Sequence, residues 1–205
     1  MRYIVVCFLL FAAFTAEAQS AKPFEGEIHF KVEISGGGEE MELARQFMPS
    51  GFLYVIKGNS VFIKTLGAKA NSMTGSAVYN GKSKKVFLVH DATKTVYLIK
   101  EAEKLEEAGE DISKVPTVVE GEDKKQIAGY NCKHYIITNA EDEASKTEIW
   151  VTDEIQLDIP ATMGSNMPID HKIMSVVKGF PLALRTAGAS GLDIFMEAEK
   201  VEKKA

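Results

Sequence analysis

The sequence predicts a mainly β (α+β) protein built on an antiparallel sheet. Three observations predict it: a clean apolar/polar alternation near the start, a series of hairpin turns, and few stretches with helical periodicity. Phe24, Ile28, Phe30, Val32 and Ile34 alternate with Glu25, Glu27, His29, Lys31 and Glu33. That period of two is the mark of a strand with one buried and one wet face. Gly36-Gly37-Gly38 ends it. The glutamates that follow would repel a phosphate, so these glycines read as a turn and not as a phosphate loop.

The remaining elements follow in order. In the stretch from Glu39 to Phe47, the residues Met41, Leu43, Ala44 and Phe47 fit either a short helical face or a strand. Two strands, Gly51 to Lys57 and Ser60 to Leu66, flank the two-residue turn Gly58-Asn59, a kind that matches strand twist. Gly67 to Gly75 is a loop of small residues. Ser76 to Tyr79 and Lys85 to His90 flank Asn80-Gly81, the strongest short hairpin cue in the chain. Asp91 to Lys94 turns the chain into Thr95 to Ile99. Lys100 to Ala108 reads as a charged helix stopped at Gly109. Val115 to Glu120 is a strand, with Pro116 placing it at an edge or entry position. Gln126 to Ile137, Thr147 to Thr152 and Leu192 to Val201 complete the strands, and Asn139 to Lys146 reads as an acidic loop. Ile169, Ile173, Val176 and Val177 fall at helical spacing, with Gly179 as C-cap. No repeat or composition break divides the chain, so one domain over residues 19–205 is expected.

Residues 1–18 set the expected address. Arg2 precedes an almost unbroken apolar run from Tyr3 to Phe14, and Ala16-Glu17-Ala18 offers the small residues a signal peptidase reads. A cleaved secretory leader is the expectation, and with it a periplasmic or secreted protein. Its loss removes one Arg and one Glu, leaving the net charge at −5. That acidic excess argues against nucleic acid as a partner. No later apolar run reaches the roughly 18 residues of a membrane span. Cys7 lies inside the leader, too early to be a lipoprotein's acylated cysteine, and Cys132 is the other cysteine of the chain. An internal disulfide is therefore not expected, and stability must come from packing.

Candidate chemistry is sparse. Cys132 and His134 share one face of a strand, the minimum for an activated thiol, but no orienting acid or oxyanion loop lies nearby in sequence. The plainer reading is a small buried residue beside a sheet histidine. His29, His90, His134 and His171 are scattered singly, without metal-ligand spacing, so no metal or other cofactor is expected. Glu101, Glu103, Glu106, Glu107 and Glu110 lack a calcium-loop pattern and read as a solvated helix face. No phosphate-loop or nucleophile-elbow motif occurs, so a non-enzymatic protein is expected. Met163, Met167 and Met174 cluster beside Ile173 and Val177 near the last expected helix. Methionine fills irregular space and lines surfaces that accept varied apolar ligands, so these five residues are the candidate ligand-binding set.

Several stretches resemble the domain-of-unknown-function 4412 family of secreted proteins common in Bacteroidetes. They are Phe24-Glu25-Gly26-Glu27-Ile28, Tyr54-Val55-Ile56-Lys57-Gly58, and Tyr79-Asn80-Gly81-Lys82 with Val86-Phe87-Leu88. The closest is Ile127-Ala128-Gly129-Tyr130-Asn131-Cys132-Lys133-His134-Tyr135 with Glu148-Ile149-Trp150-Val151-Thr152, followed by Gly179-Phe180-Pro181-Leu182. The resemblance implies a fold similar to the LolA-like periplasmic lipoprotein carriers. That fold is a curved antiparallel sheet forming a half-open barrel, with a few short helices over its concave side. It implies a lipid or lipoprotein acyl chain, or another apolar ligand, in the hollow; a structural or interaction module with a self-filled core is the alternative. The family brings no catalytic residues. Gly129 is expected to allow a bulge or a close backbone approach.

Overall fold

One antiparallel sheet of eleven strands holds most of the described residues. The computed structural model describes residues 23–38, 42, 45–67, 75–90, 92–101, 116–139, 142–157, 177–187 and 191–204. The strands are β1 (Gly26–Gly36), β2 (Gly51–Lys57), β3 (Ser60–Leu66), β4 (Ser76–Asn80), β5 (Lys85–His90), β6 (Thr95–Glu101), β7 (Thr117–Ile127), β8 (Tyr130–Asn139), β9 (Asp142–Thr152), β10 (Phe180–Ala187) and β11 (Leu192–Lys203). Their order is β6-β5-β4-β3-β2-β1-β11-β10-β9-β8-β7. The first six strands meander outward from β1 and the last five from β11. The two meanders join where β1 pairs along its whole length with β11, from Gly26 opposite Lys203 to Gly36 opposite Leu192. Strands β6 and β7 are the two edges, so the sheet is not closed into a barrel.

The main core lies on one face. Register puts Ile28 between Tyr54 and Val201, and Tyr54 opposite Ile63. On the other half Ile149 is opposite Leu184, which is opposite Met196. Ile28, Tyr54, Ile149, Leu184 and Met196 are all buried. Three rings tie the halves together. Phe30 and Tyr54 meet edge to face at 5.2 Å, and each lies 6.4 Å from Phe180. Such pairs add about 0.5–1.5 kcal/mol each beyond their buried area. Phe24, Ile155 and Val177, outside the strands, also bury themselves in this core.

The structure corrects several expectations. The segment Gln126 to Ile137 is not one strand, because β7 ends at Ile127 and β8 starts at Tyr130. Ala128 and Gly129 take positive φ of 47° and 89°, the paired values of a tight hairpin turn that fits the strands' twist. Gly129 thus serves a turn and not a close approach: a Cβ there would meet nothing within 4 Å. Strand β10 went unread because its first five residues are all buried. A strand covered on both faces shows no alternation, and Pro181 demotes it further. Asp142 to Lys146, expected in a loop, belong to β9. Lys100 and Glu101 finish β6 instead of opening a helix, and the rest of that expected helix lies outside the described residues. The Asn80-Gly81 hairpin is longer than two residues. It turns over 81–84, with the Asn80 side-chain oxygen accepting from the Lys82 and Ser83 amides at 3.0 Å. Residues 42 and 45 are helical, but the short helices expected over the concave side are not seen among the described residues. The segment of the last expected helix, apart from Val177, lies outside them, as does the leader.

Two substitutions separate core from edge. Ile149→Ala should lower the unfolding free energy by about 2–5 kcal/mol. Val96→Ala, at a site 60% exposed on β6, should change it by less than about 0.5 kcal/mol. Denaturant titration reads both as midpoint shifts with unchanged slope.

Candidate functional site

The β7–β8 ladder contains an interruption that shapes the opposite face of the sheet. Glu120 pairs with Tyr135 and Lys124 with Lys133, so residues 121–123 stand opposite His134 alone. Extra residues on one strand bend it and raise its twist. The bend brings β7 over the His134 ring: a Cβ on Gly121 would lie 2.4 Å from Nδ1 of His134. Glycine is required there because any side chain would occupy the imidazole's space.

His134 is opposite Trp150, and Trp150 is opposite Ala183, on the face turned away from Ile149. The His134 and Trp150 rings stack at 4.7 Å with an 11° tilt. Beyond the bend, Lys125 reaches over this face. Its Nζ lies 5.6 Å from the Trp150 ring centre and 5.4 Å from that of Phe195, and it pairs with the Glu197 carboxylate on β11. Lys125 therefore spans from the edge strand to the fifth strand inward, which requires the sheet to curl at this end. Each cation–ring contact contributes about 0.5–1 kcal/mol at a partly exposed site. The His134 side chain is only 7% exposed, and its Nε2 has no hydrogen-bond partner, with Glu148 Oε2 at 3.9 Å. A buried polar atom without a partner is rare in a native fold.

Beside this cluster opens a cleft of about 450 Å³, lined by Lys124, Lys125, Gln126, Asn131, Cys132, Lys133, Val151 and Asp153. Three lysines and one aspartate contribute to the lining, the Lys125 ammonium being already paired with Glu197; Gln126 and Asn131 add hydrogen-bonding capacity, and Cys132 and Val151 add apolar surface. Such a cleft suits an anionic group carried on an apolar body. Cys132 itself is 2% exposed, and its thiol donates to the Tyr130 carbonyl at 3.7 Å. Burial, with Glu154 adding to it, pushes the thiol up to about 11. At neutral pH it stays protonated, the opposite of an activated nucleophile.

Cys132 and His134 share a face, as their spacing implied, but His134 is engaged with Trp150. The methionine set is not brought to this cleft. Val177 is a buried core residue, while Met163, Met167, Ile173 and Met174 lie outside the described residues. Sequence reasoning missed the three lysines. Their signal was local: Lys124, Lys125 and Lys133 crowd both arms of one hairpin.

The sequence profile of DUF4412, described as a domain of unknown function, matches residues 24–205. No curated protein gives a significant match. Among solved structures, the chain is similar to PNGF-II at 13% identity and a TM-score of 0.43, covering 88% of this chain and 28% of that one. It is similar to a DUF1329 family protein from Desulfovibrio piger at 12% identity and a TM-score of 0.35, covering 91% and 88%. A domain classed as an outer membrane lipoprotein-sorting protein, from Vibrio parahaemolyticus, aligns at 8% identity with a TM-score of 0.30, covering 88% and 86%. No helix among the described residues is long and apolar enough to cross a membrane.

Gly121→Ala should cost about 1–3 kcal/mol of stability through overpacking. The cost should shrink when His134 is also changed to Ala, a coupling read by a double-mutant cycle. The raised Cys132 pKa fixes a pH dependence. Stabilisation from the protonated thiol is complete below the ordinary value near 9 and is lost as pH rises through about 11. Unfolding free energy should therefore fall between pH 9 and 11, and fall less in Cys132→Ala. In the native protein, iodoacetamide should label Cys132 far more slowly at pH 8 than in denaturant.

Proposed function

The chain belongs to the DUF4412 family, and we propose that it acts in the cell envelope as a non-enzymatic carrier or sensor. Its ligand is a lipid, a lipid anchor or another apolar molecule with an anionic head. One observation carries this reading: a cleft lined by Lys124, Lys125 and Lys133 together with Cys132 and Val151. Ion pairs between exposed ammonium groups and a carboxylate or phosphate are worth about 0–1 kcal/mol each. An adjoining apolar surface rewards burial of an attached chain at about 25 cal/mol per Å². The leader expected over residues 1–18 supports an extracytoplasmic setting. A second reading, a structural module with a self-filled core, is favoured by the Phe30, Tyr54 and Phe180 rings that occupy the main face.

Trp150 is the chain's single tryptophan, and Lys125 lies over its ring, so its fluorescence reports on the cleft. Oleate should shift Trp150 emission saturably, and oleyl alcohol should do so much more weakly. The double variant Lys124→Ala/Lys133→Ala should bind oleate at least tenfold more weakly while keeping its thermal midpoint. A flat titration with oleate, together with native mass spectra free of bound lipid, would sink the carrier reading and leave the structural module.

A further inference from the structure

A second cluster sits on the β1–β11 ladder and shares no residue with the lysine cleft. Glu27 and His29 are two apart on β1, so their side chains leave the same face. Glu202 is directly opposite Glu27 on β11. The ladder shifts register beside His29: Phe30 pairs with Ala198 but His29 with Lys200, leaving Glu199 as the extra residue. That bulge sets Glu202, and not its neighbour, beside the pair on β1. One ligand atom from each of Glu27, His29 and Glu202 lies within 4.8 Å of the other two.

The histidine distinguishes this cluster from an ordinary acidic patch. His29 Nε2 is shielded from water and has no hydrogen-bond partner, with Glu27 Oε2 at 3.7 Å. It is an imidazole nitrogen held next to two carboxylates with nothing bonded to it. Each carboxylate is paired with an ammonium group: Lys204 hydrogen-bonds to Glu27, and the Lys200 ammonium lies 2.7 Å from Glu202. One imidazole and two carboxylates suit a borderline divalent ion. Zinc takes such ligands at about 2.0–2.2 Å in a tetrahedron that leaves a place for water. Ligand atoms around it stand roughly 3.3–3.6 Å apart, a closure that rotation of two glutamate side chains supplies. Two adjacent strands in the middle of the sheet hold the three residues on a rigid base.

We propose that Glu27, His29 and Glu202 form a binding site for a divalent transition-metal ion of the zinc class, with water completing its coordination. Lys200 and Lys204 now neutralise the carboxylates and must yield to the ion. They lower its affinity, which gives the proposal a test that loss of folding cannot imitate. Calorimetric titration of the purified protein with zinc chloride should show one ion per chain. His29→Ala, at a partly exposed position, should weaken it at least tenfold with an unchanged circular dichroism spectrum. Lys204→Met, which frees Glu27, should tighten it several-fold. Cobalt(II) should give a visible absorption band that His29→Ala removes. The proposal is overturned if neither the parent nor Lys204→Met binds zinc. It is equally overturned if His29→Ala binds as the parent does, since the ion would then sit elsewhere.

Discussion

The β1–β11 ladder is the constraint on which everything else depends. All eleven residues of β1 are paired with the last strand of the chain. Without that pairing the protein is two separate meanders, each exposing one more edge and each lacking half of a core. The Phe30–Tyr54–Phe180 cluster makes the dependence concrete: two rings come from the first two strands and the third from β10. The price is a long closure between the first and last strands, the kind of non-local contact that slows folding. The gain is a core shared across the join, whose fully buried residues come from both halves.

Departures from regular pairing, more than the pairing itself, create the two places where this sheet does something besides pack. In β7, three residues opposite His134 bend the strand until Lys125 lies across Trp150 and Phe195 and meets Glu197. The bend covers His134, and a cleft lined by lysines lies beside it. In β11, one extra residue at Glu199 sets the register that gathers Glu27, His29 and Glu202. An unbroken ladder would hold each side chain at its own station along the face. The interruptions re-aim them, at the cost of ladder hydrogen bonds.

Much of the fold was legible in the residues. The alternation from Phe24 to Ile34 became β1, and its apolar members Ile28 and Phe30 became core. Turn residues located β2 to β6 to within a residue or two, because Gly58-Asn59 and Asn80 act through local backbone chemistry. What failed to show did so for stated reasons. Ala128-Gly129 does not advertise a turn, and the buried run of β10 has no period to detect. Cys132 and His134 were visible as a pair, but the bend at Gly121 that covers His134 was not. Single glycines carry no record of what approaches them.

The sequence by itself determined the β class, most of the strand-forming stretches and the side of β1 that seeks burial. These follow from short-range periodicity and turn chemistry, which act over a few residues. Only the tertiary structure decided that the first strand pairs with the last and that β6 and β7 remain edges. It also decided which of the scattered lysines, glutamates and histidines meet. Those outcomes depend on register between strands far apart in the chain, and a one-residue bulge is enough to change them.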